Sequence, residues 1–176
     1  MRKLQICVTL LIAMTILAGA ANAQKKTPKK PVPKKPPVTK PVVPPLEVRV
    51  AREKVDTQLA NVNRFVDVLG PIAQAIETLD ASNAVKKLPP ETVAKNEANK
   101  AKVVEAIRNL KAGLATLESE FRTKASLAKY LPSIEGITDL AAASEDSAIA
   151  GKFVAAKEPL RDVAKKLTDT LAAMPL

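Results

Sequence analysis

The sequence lacks the residues on which most catalytic and metal sites depend. Histidine is absent from all 176 positions, and Cys7 is the only cysteine. The absence of histidine removes the usual general base and the commonest metal ligand. Cys7 lies in a segment that we expect to be removed, so the remaining chain has no disulfide, thiol nucleophile or thiolate metal site.

Aromatic residues and glycines are also scarce. The chain has no tryptophan, one tyrosine and three phenylalanines, which leaves few rings on which nucleic-acid bases stack. Its five glycines are not grouped, and Gly151-Lys152 lacks the earlier glycine of a phosphate-binding P-loop. These absences predict a protein that is not an enzyme and holds no cofactor, and they argue against nucleic acid as a partner.

The excess of positive charge is confined to the N-terminal quarter. The chain carries 28 lysines and arginines against 18 acids, a formal net charge of +10. Residues 1–45 contain nine of the basic residues and no acid, whereas residues 46–176 contain nineteen basic and eighteen acidic residues. A large positive charge is typical of nucleic-acid binders, but here it belongs to one terminal segment.

Residues 1–23 have the three parts of a secretory signal peptide. Two basic residues come first, an apolar run covers 8–17, and small residues precede Gln24. We therefore expect cleavage before Gln24 and an exported chain that is soluble in the periplasm or outside the cell. The competing interpretation is an uncleaved membrane anchor, although the apolar stretch is near the lower length limit for spanning a bilayer.

Residues 24–45, which we call the tail, consist mainly of proline and lysine. Eight of these 22 residues are proline and seven are lysine. Because proline blocks helix and sheet and the lysines repel one another, we predict a disordered, extended chain of polyproline-II type. At about 3.1 Å per residue, such a chain reaches about 70 Å.

Three functions fit the tail. It is a solvated spacer, an electrostatic tether to an anionic envelope polymer or lipid headgroups, or a nucleic-acid-binding segment, and export argues against the third. Lysines close to an anionic membrane contribute on the order of 1 kcal/mol each. The candidate residues for binding an anionic surface are Lys25, Lys26, Lys29, Lys30, Lys34, Lys35 and Lys40.

From residue 46 onward, apolar residues recur with helical spacing. The first unit, about 47–88, has an apolar face formed by Val55, Leu59, Val62, Val66, Leu69, Ile72, Ile76 and Leu79. Gly70-Pro71 lies within this face and predicts a break or kink that leaves its phase unchanged.

Two further units have the same spacing. The second, about 91–131, has its inward positions at Val103, Ile107, Leu110, Leu114, Leu117, Phe121, Ala128 and Leu131. The third, about 138–174, contains Pro159 and has its inward positions at Ile149, Phe153, Ala156, Leu160, Val163, Leu167, Leu171 and Met174.

Similar unit lengths and short links favour antiparallel packing. We predict an all-α domain over residues 46–176, in the form of an elongated antiparallel helical bundle of three long arms kinked near Pro71 and Pro159. The alternative is a compact four- or five-helix bundle.

Two groups of charged residues on the helical domain are candidates for sites. Residues 144–147, Ser-Glu-Asp-Ser, form an acidic turn that lacks the alternating oxygen ligands of a calcium loop, so we expect it at a helix junction or cap. The second unit also carries basic residues, which we interpret as a solvated face balanced by acids: Lys95, Lys102, Arg108, Lys111, Arg122 and Lys129.

The sequence thus predicts an exported, non-enzymatic binding or scaffold protein. A protein partner, or a second copy of the chain, binds a helix face, and the tail acts as a spacer or tether. The alternative is a carrier of lipid or another apolar ligand, similar in type to exchangeable apolipoproteins, which are also secreted bundles of amphipathic helices. The narrow apolar stripe of the second unit favours protein packing.

Overall fold

The computed structural model describes residues 44–176, and every regular element in that range is a helix. The predicted all-α class is therefore confirmed. The signal peptide and the tail up to residue 43 lie outside the described residues. The elements in chain order are α1 (Leu46–Val85), α2 (Pro90–Thr123), a 3-10 turn (Ala128–Tyr130), α3 (Leu131–Ile134), α4 (Ile137–Ile149) and α5 (Lys157–Ala173).

Proline and glycine set several of the helix ends. Pro90 is the first residue of α2. An amide at this position has no acceptor within the helix, so proline, which lacks the amide hydrogen, costs no hydrogen bond there. Gly136 precedes α4 with a φ of 87°, and Gly151 follows α4 with a φ of 76°. These left-handed conformations strain residues that carry a Cβ, so the two glycines fix where the chain turns into and out of α4.

The proline positions differ in their effect from the prediction. α1 continues through Pro71 as one helix, so the predicted break is not found, and the two kinks and the three-arm arrangement are not confirmed. The third unit is interrupted by turns over residues 150–156, after which Pro159 falls in the first turn of α5. A first-turn proline is tolerated because the amide there lacks an intrahelical acceptor.

The second unit also ends earlier than its spacing predicts. α2 stops at Thr123, and short helical turns lead to α3. Leu127 is fully buried, whereas the predicted inward residue Ala128 is exposed. The change of direction after Thr123 rotates the following residues, so the helical phase no longer applies to them.

Hydrogen bonds and ion pairs at both ends of α1 identify α2 as its antiparallel neighbour. Lys54, near the start of α1, pairs with Glu120, near the end of α2. Near the other end of α1, Asp80 accepts a 2.9 Å hydrogen bond from the side-chain nitrogen of Asn96, near the start of α2. The two long helices therefore run in opposite directions.

Helix α5 also packs along α1. Arg52 of α1 donates to the backbone oxygens of Leu171 and Met174, at the C-terminal end of α5. Glu77, near the other end of α1, accepts from the Val154 amide just before α5. α1 and α5 are consequently antiparallel as well.

One core unites these helices and includes most of the predicted inward positions. Val103, Ile107, Leu114, Leu117 and Phe121 of α2 are all buried in it. In residues 44–176, no helix is both long enough and apolar enough to cross a bilayer.

Besides Ala128, two further predicted core residues face solvent. Ile72 is 38% exposed, and its neighbour Ala73 is buried. Ile149 is 58% exposed, and Ala148 is buried. In both cases an adjacent alanine, about 100° away around the helix, takes the inward position and allows the neighbouring helix to approach closely.

Candidate interaction surfaces

The seven tail lysines predicted to bind an anionic surface lie outside the described residues. The tether therefore stays a prediction. The described domain supplies other candidate surfaces, which consist of a charged interface between α2 and α4, an apolar stripe on α1, and the end of the α1–α2 hairpin.

Basic residues of α2 hold α4 in place. Arg108 and Lys111 both pair with Glu145 of α4, and the Arg108 Nε–Glu145 Oε1 distance is 2.5 Å. These bonds hold the pKa of the Glu145 carboxyl below its usual range, with Lys111 as the larger cause and Arg108 next. An acid thus offsets the positive charge of Arg108 and Lys111, as the sequence predicts, and the same ion pairs join α2 to α4.

The acidic stretch 144–147 lies inside α4 and not at a helix junction, so its predicted location is wrong. Ser144 is buried and donates a 2.7 Å hydrogen bond to the Ala156 carbonyl. Helix periodicity explains the difference, because Ser144 and Glu145 face other helices while Asp146 is exposed. The stretch connects α4 to its neighbours.

Glu118 joins α2 to the start of α4. Its Oε1 accepts a 3.0 Å hydrogen bond from the Gly136 amide, and its Oε2 accepts bonds of 3.0 Å and 2.7 Å from the Thr138 amide and hydroxyl. Arg122 adds a 3.0 Å ion pair. A carboxylate at this position satisfies amides that have no acceptor within α4 and favours the positive end of the helix dipole.

The same contacts set the charge state of Glu118. Burial alone raises the pKa of this carboxyl, but the bonds from Gly136 and Thr138 and the nearby Arg122 outweigh burial and hold the pKa below its usual range. The i,i+4 spacing of Glu118 and Arg122 predicts their ion pair on an exposed side of the helix. The pair is found, but Glu118 is buried, because the start of α4 packs against it and the spacing on α2 does not reveal that contact. The glycine before α4 was the one local signal of a helix start there.

The outer side of α1 carries an apolar stripe that does not belong to the core. Val68 and Ile72 are 52% and 38% exposed, and Ala75 is exposed beside them. Half-buried Phe65 continues the stripe toward the core. The spacing of these four residues, three, four and three, places them on one face of α1, which we call the α1 stripe.

The last turns of α1 and the first turns of α2 form a two-helix hairpin with little core of its own. Asn96 is its buried residue, and its side-chain nitrogen bonds Asp80. The Asn96 Oδ1 atom is buried without a hydrogen-bond partner, an arrangement that costs stability. Lys100 binds both Asp80, at 2.7 Å, and Glu97, at 2.8 Å, and so closes the hairpin from outside.

The hollows of the described domain are mostly open. A groove of about 500 Å³ runs between α1 and α2, where the Gln58 side chain lies against Gly113. A more enclosed cavity beside Leu79, Leu88 and Asn96 measures about 20 Å³. Phe121 and Phe153, two of the three phenylalanines, are fully buried in the core.

Within residues 44–176, no group of three or more acidic, histidine or cysteine side chains is placed to hold a metal ion. Comparison of the chain with protein-family models, with curated proteins and with solved structures finds no match. The surfaces of the domain and the composition of the tail are therefore the basis for a functional proposal.

Proposed function

We propose that this chain is an exported, non-enzymatic binding or scaffold protein with a helical-bundle domain. The α1 stripe binds an apolar helix of a protein partner or of a second copy. The tail acts as a spacer or as a tether to an anionic envelope polymer or surface. This is a proposal for the periplasm or the extracellular space, where a cleaved signal peptide would deliver the chain.

The α1 stripe is the observation that carries the proposal. Aliphatic side chains aligned on one face of a helix cost free energy in water, and burying each fully is worth about 1.5–3 kcal/mol. Val68 and Ile72 lie one helical turn apart, as do the contact residues of paired helices. The α1 stripe thus has the spacing of an interface, although the core of the domain does not use it.

The test replaces Val68 and Ile72 together by glutamate. Because both side chains are solvent-exposed, the charges leave the core intact but place two carboxylates in the proposed interface. We expect at least a tenfold loss of self-association, measured by sedimentation velocity, or of capture of a partner from the exported fraction. Helicity by circular dichroism remains unchanged.

The matched control replaces Thr168 and Ala172, two exposed residues one turn apart on α5, by glutamate. It adds the same charge at the same spacing and should bind like the wild type. Equal binding by the Val68/Ile72 variant and the control contradicts the proposal.

The alternative function, a carrier of lipid or another apolar ligand, requires the domain to open or to hold a larger cavity. The more enclosed cavity, of about 20 Å³, is far below the 300 Å³ or so of a typical ligand pocket, and the groove of about 500 Å³ between α1 and α2 is open to solvent. A carrier would clear phospholipid vesicles by opening its helices onto lipid. Vesicle clearance by the Val68/Ile72 variant as well as by the wild type favours this alternative.

A further inference from the structure

The end of the α1–α2 hairpin combines exposed apolar and basic residues. α1 ends at Val85, and four residues lead to Pro90, where α2 begins. Every residue from 81 to 91 is exposed except Leu88, which is half-buried. Val85 has 91% of its surface exposed. We call residues 84–88, together with Lys95, the hairpin tip.

The hairpin tip has an excess of unpaired positive charge. Lys86 and Lys87 follow Val85 directly, and none of the ion pairs within residues 44–176 involves them or Lys95. The nearby carboxylates of Asp80 and Glu97 are both bound to Lys100. Lys100 offsets one of these two negative charges. Residues 81–95 themselves carry three lysines against one acid, Glu91, and therefore keep a net positive charge.

This combination distinguishes between anionic partners. A soluble polyanion pairs with lysines but leaves Val85 in water. An anionic lipid surface accepts both, because its phosphates attract the lysines and its interfacial layer takes an aliphatic side chain without a matching pocket. The scarcity of aromatic rings, with none between residues 81 and 95, removes the stacking that a single-stranded nucleic acid would use.

We propose that the hairpin tip docks on an anionic lipid surface, with Val85 in the headgroup region and Lys86 and Lys87 beside lipid phosphates. This rests on one part of the proposed function, namely that the chain works at an anionic surface. It adds a contact made by the folded domain itself, about 60 Å along α1 from the point where the tail joins.

A position-specific probe tests the docking. In a Cys7→Ser background, Val85→Cys carries an environment-sensitive dye, and the control carries the dye at Ile149→Cys, another exposed apolar position near a helix end. The tail is identical in both proteins, so a difference between the dyes reports on the labelled positions alone. The partners are phosphatidylcholine vesicles with and without phosphatidylglycerol, and soluble polyphosphate.

We expect the dye at position 85 to shift to the blue with anionic vesicles, and the shift to disappear as salt is raised. Neutral vesicles and polyphosphate leave it unchanged, and the dye at position 149 does not respond. No shift at position 85, an equal shift at both positions, or a shift with polyphosphate overturns the proposal.

Vesicle binding of the unlabelled chain provides a second measurement. Lys86→Gln combined with Lys87→Gln should lower affinity for anionic vesicles on the order of tenfold. The same change at Lys165 and Lys166, which lie on α5 and form no ion pair in the described range, should have a smaller effect. Equal losses from the two pairs indicate general charge attraction and contradict docking through the tip.

The tether proposal and the hairpin-tip proposal can be contradicted separately. Glutamine at all seven tail lysines removes the tether but leaves the tip intact. If retention on anionic vesicles then falls while the dye at position 85 never shifts, the tether stands and the tip proposal is wrong. If the dye shifts and retention does not depend on the tail lysines, the tip stands and the tether is wrong.

Discussion

At the scale of single residues, Glu118 connects separate parts of the chain through one carboxylate. It accepts two amide hydrogens and a hydroxyl from residues 136–138 and pairs with Arg122 on its own helix. All its strong acceptor positions face donors, so the charged form suits this position better than a neutral amide. A buried acid with this many donors fixes how α4 begins against α2.

Replacing Glu118 by Gln should lower the free energy of unfolding by about 1–3 kcal/mol, because the amide nitrogen meets a donor where an oxygen is needed. Urea denaturation measures the loss. Glu105→Gln, an exposed position on the same helix, is the control and should change stability by less than about 0.5 kcal/mol. Similar losses in both variants contradict a specific role for Glu118.

The pH dependence has a definite sign. The folded-state pKa of Glu118 lies below the value of a free carboxyl, about 4.3, so its charge stabilises the fold fully above that pH. The contribution disappears as the pH falls through the lower folded-state pKa, because protonation then removes the favoured form. The stability difference between wild type and Glu118→Gln should therefore shrink on acidification below about pH 4.3.

At the scale of elements, the two prolines inside the predicted units have different local effects. Pro71 lies in the interior of α1, where its ring replaces the amide that would bond the Asp67 carbonyl. Pro159 lies in the first turn of α5, where an amide has no such acceptor. Proline therefore lowers the stability of the fold at position 71 more than at position 159.

Pro71→Ala should raise the free energy of unfolding by about 2 kcal/mol, because it restores one helical hydrogen bond at an exposed position. Pro159→Ala should leave stability nearly unchanged or lower it slightly, because alanine adds freedom to the unfolded chain. Thermal and urea unfolding of both variants measure the contrast. Equal gains from both substitutions contradict the assignment of Pro71 to a helix interior.

Helical spacing predicted the elements better than their ends and their outer faces. The stripe from Val103 to Phe121 on α2 was predicted correctly, because one long uninterrupted helix keeps its phase against one core. Ile72 and Ile149 were placed wrongly, since a spacing of three and four also fits the adjacent alanines. Packing partners decide between the two phases, and the sequence of one helix does not contain them.

The candidate surfaces depended even more on tertiary structure. Glu118 and Glu145 are ordinary helix positions in the sequence, and their roles arise because α4 packs against α2. Val85, Lys86 and Lys87 do not belong to a helical repeat in the sequence, so the spacing of residues did not indicate a surface there. The hairpin tip emerges because α1 continues for two turns beyond Glu77, whose carboxylate accepts the hydrogen bond from the Val154 amide just before α5.

At the scale of the whole molecule, positive charge is concentrated in the tail. Residues 24–45 contain seven lysines and no acid, whereas the domain from 46 onward is nearly neutral. Attraction to a polyanion through the tail should therefore be salt-sensitive and independent of folding in the domain.

Glutamine at all seven tail lysines should remove salt-sensitive retention on anionic liposomes or cell-wall material, while circular dichroism remains unchanged. At about 1 kcal/mol for each lysine near an anionic membrane, the loss in affinity should exceed a hundredfold. The matched control is threonine or serine at two of the tail prolines, which alters stiffness but keeps the charge. Retention that survives the lysine substitutions identifies the tail as a spacer.

The position of Arg52 has a mechanical consequence for a tethered protein. A force applied through the tail acts first on Leu46, where α1 begins. Less than two helical turns further on, Arg52 donates hydrogen bonds to the carbonyls of Leu171 and Met174. Because α1 and α5 are antiparallel, a pull along α1 loads these bonds in shear together with the packing that follows them. The first segment under tension is thus fastened to the last helix of the chain, so both ends of the fold resist the load together.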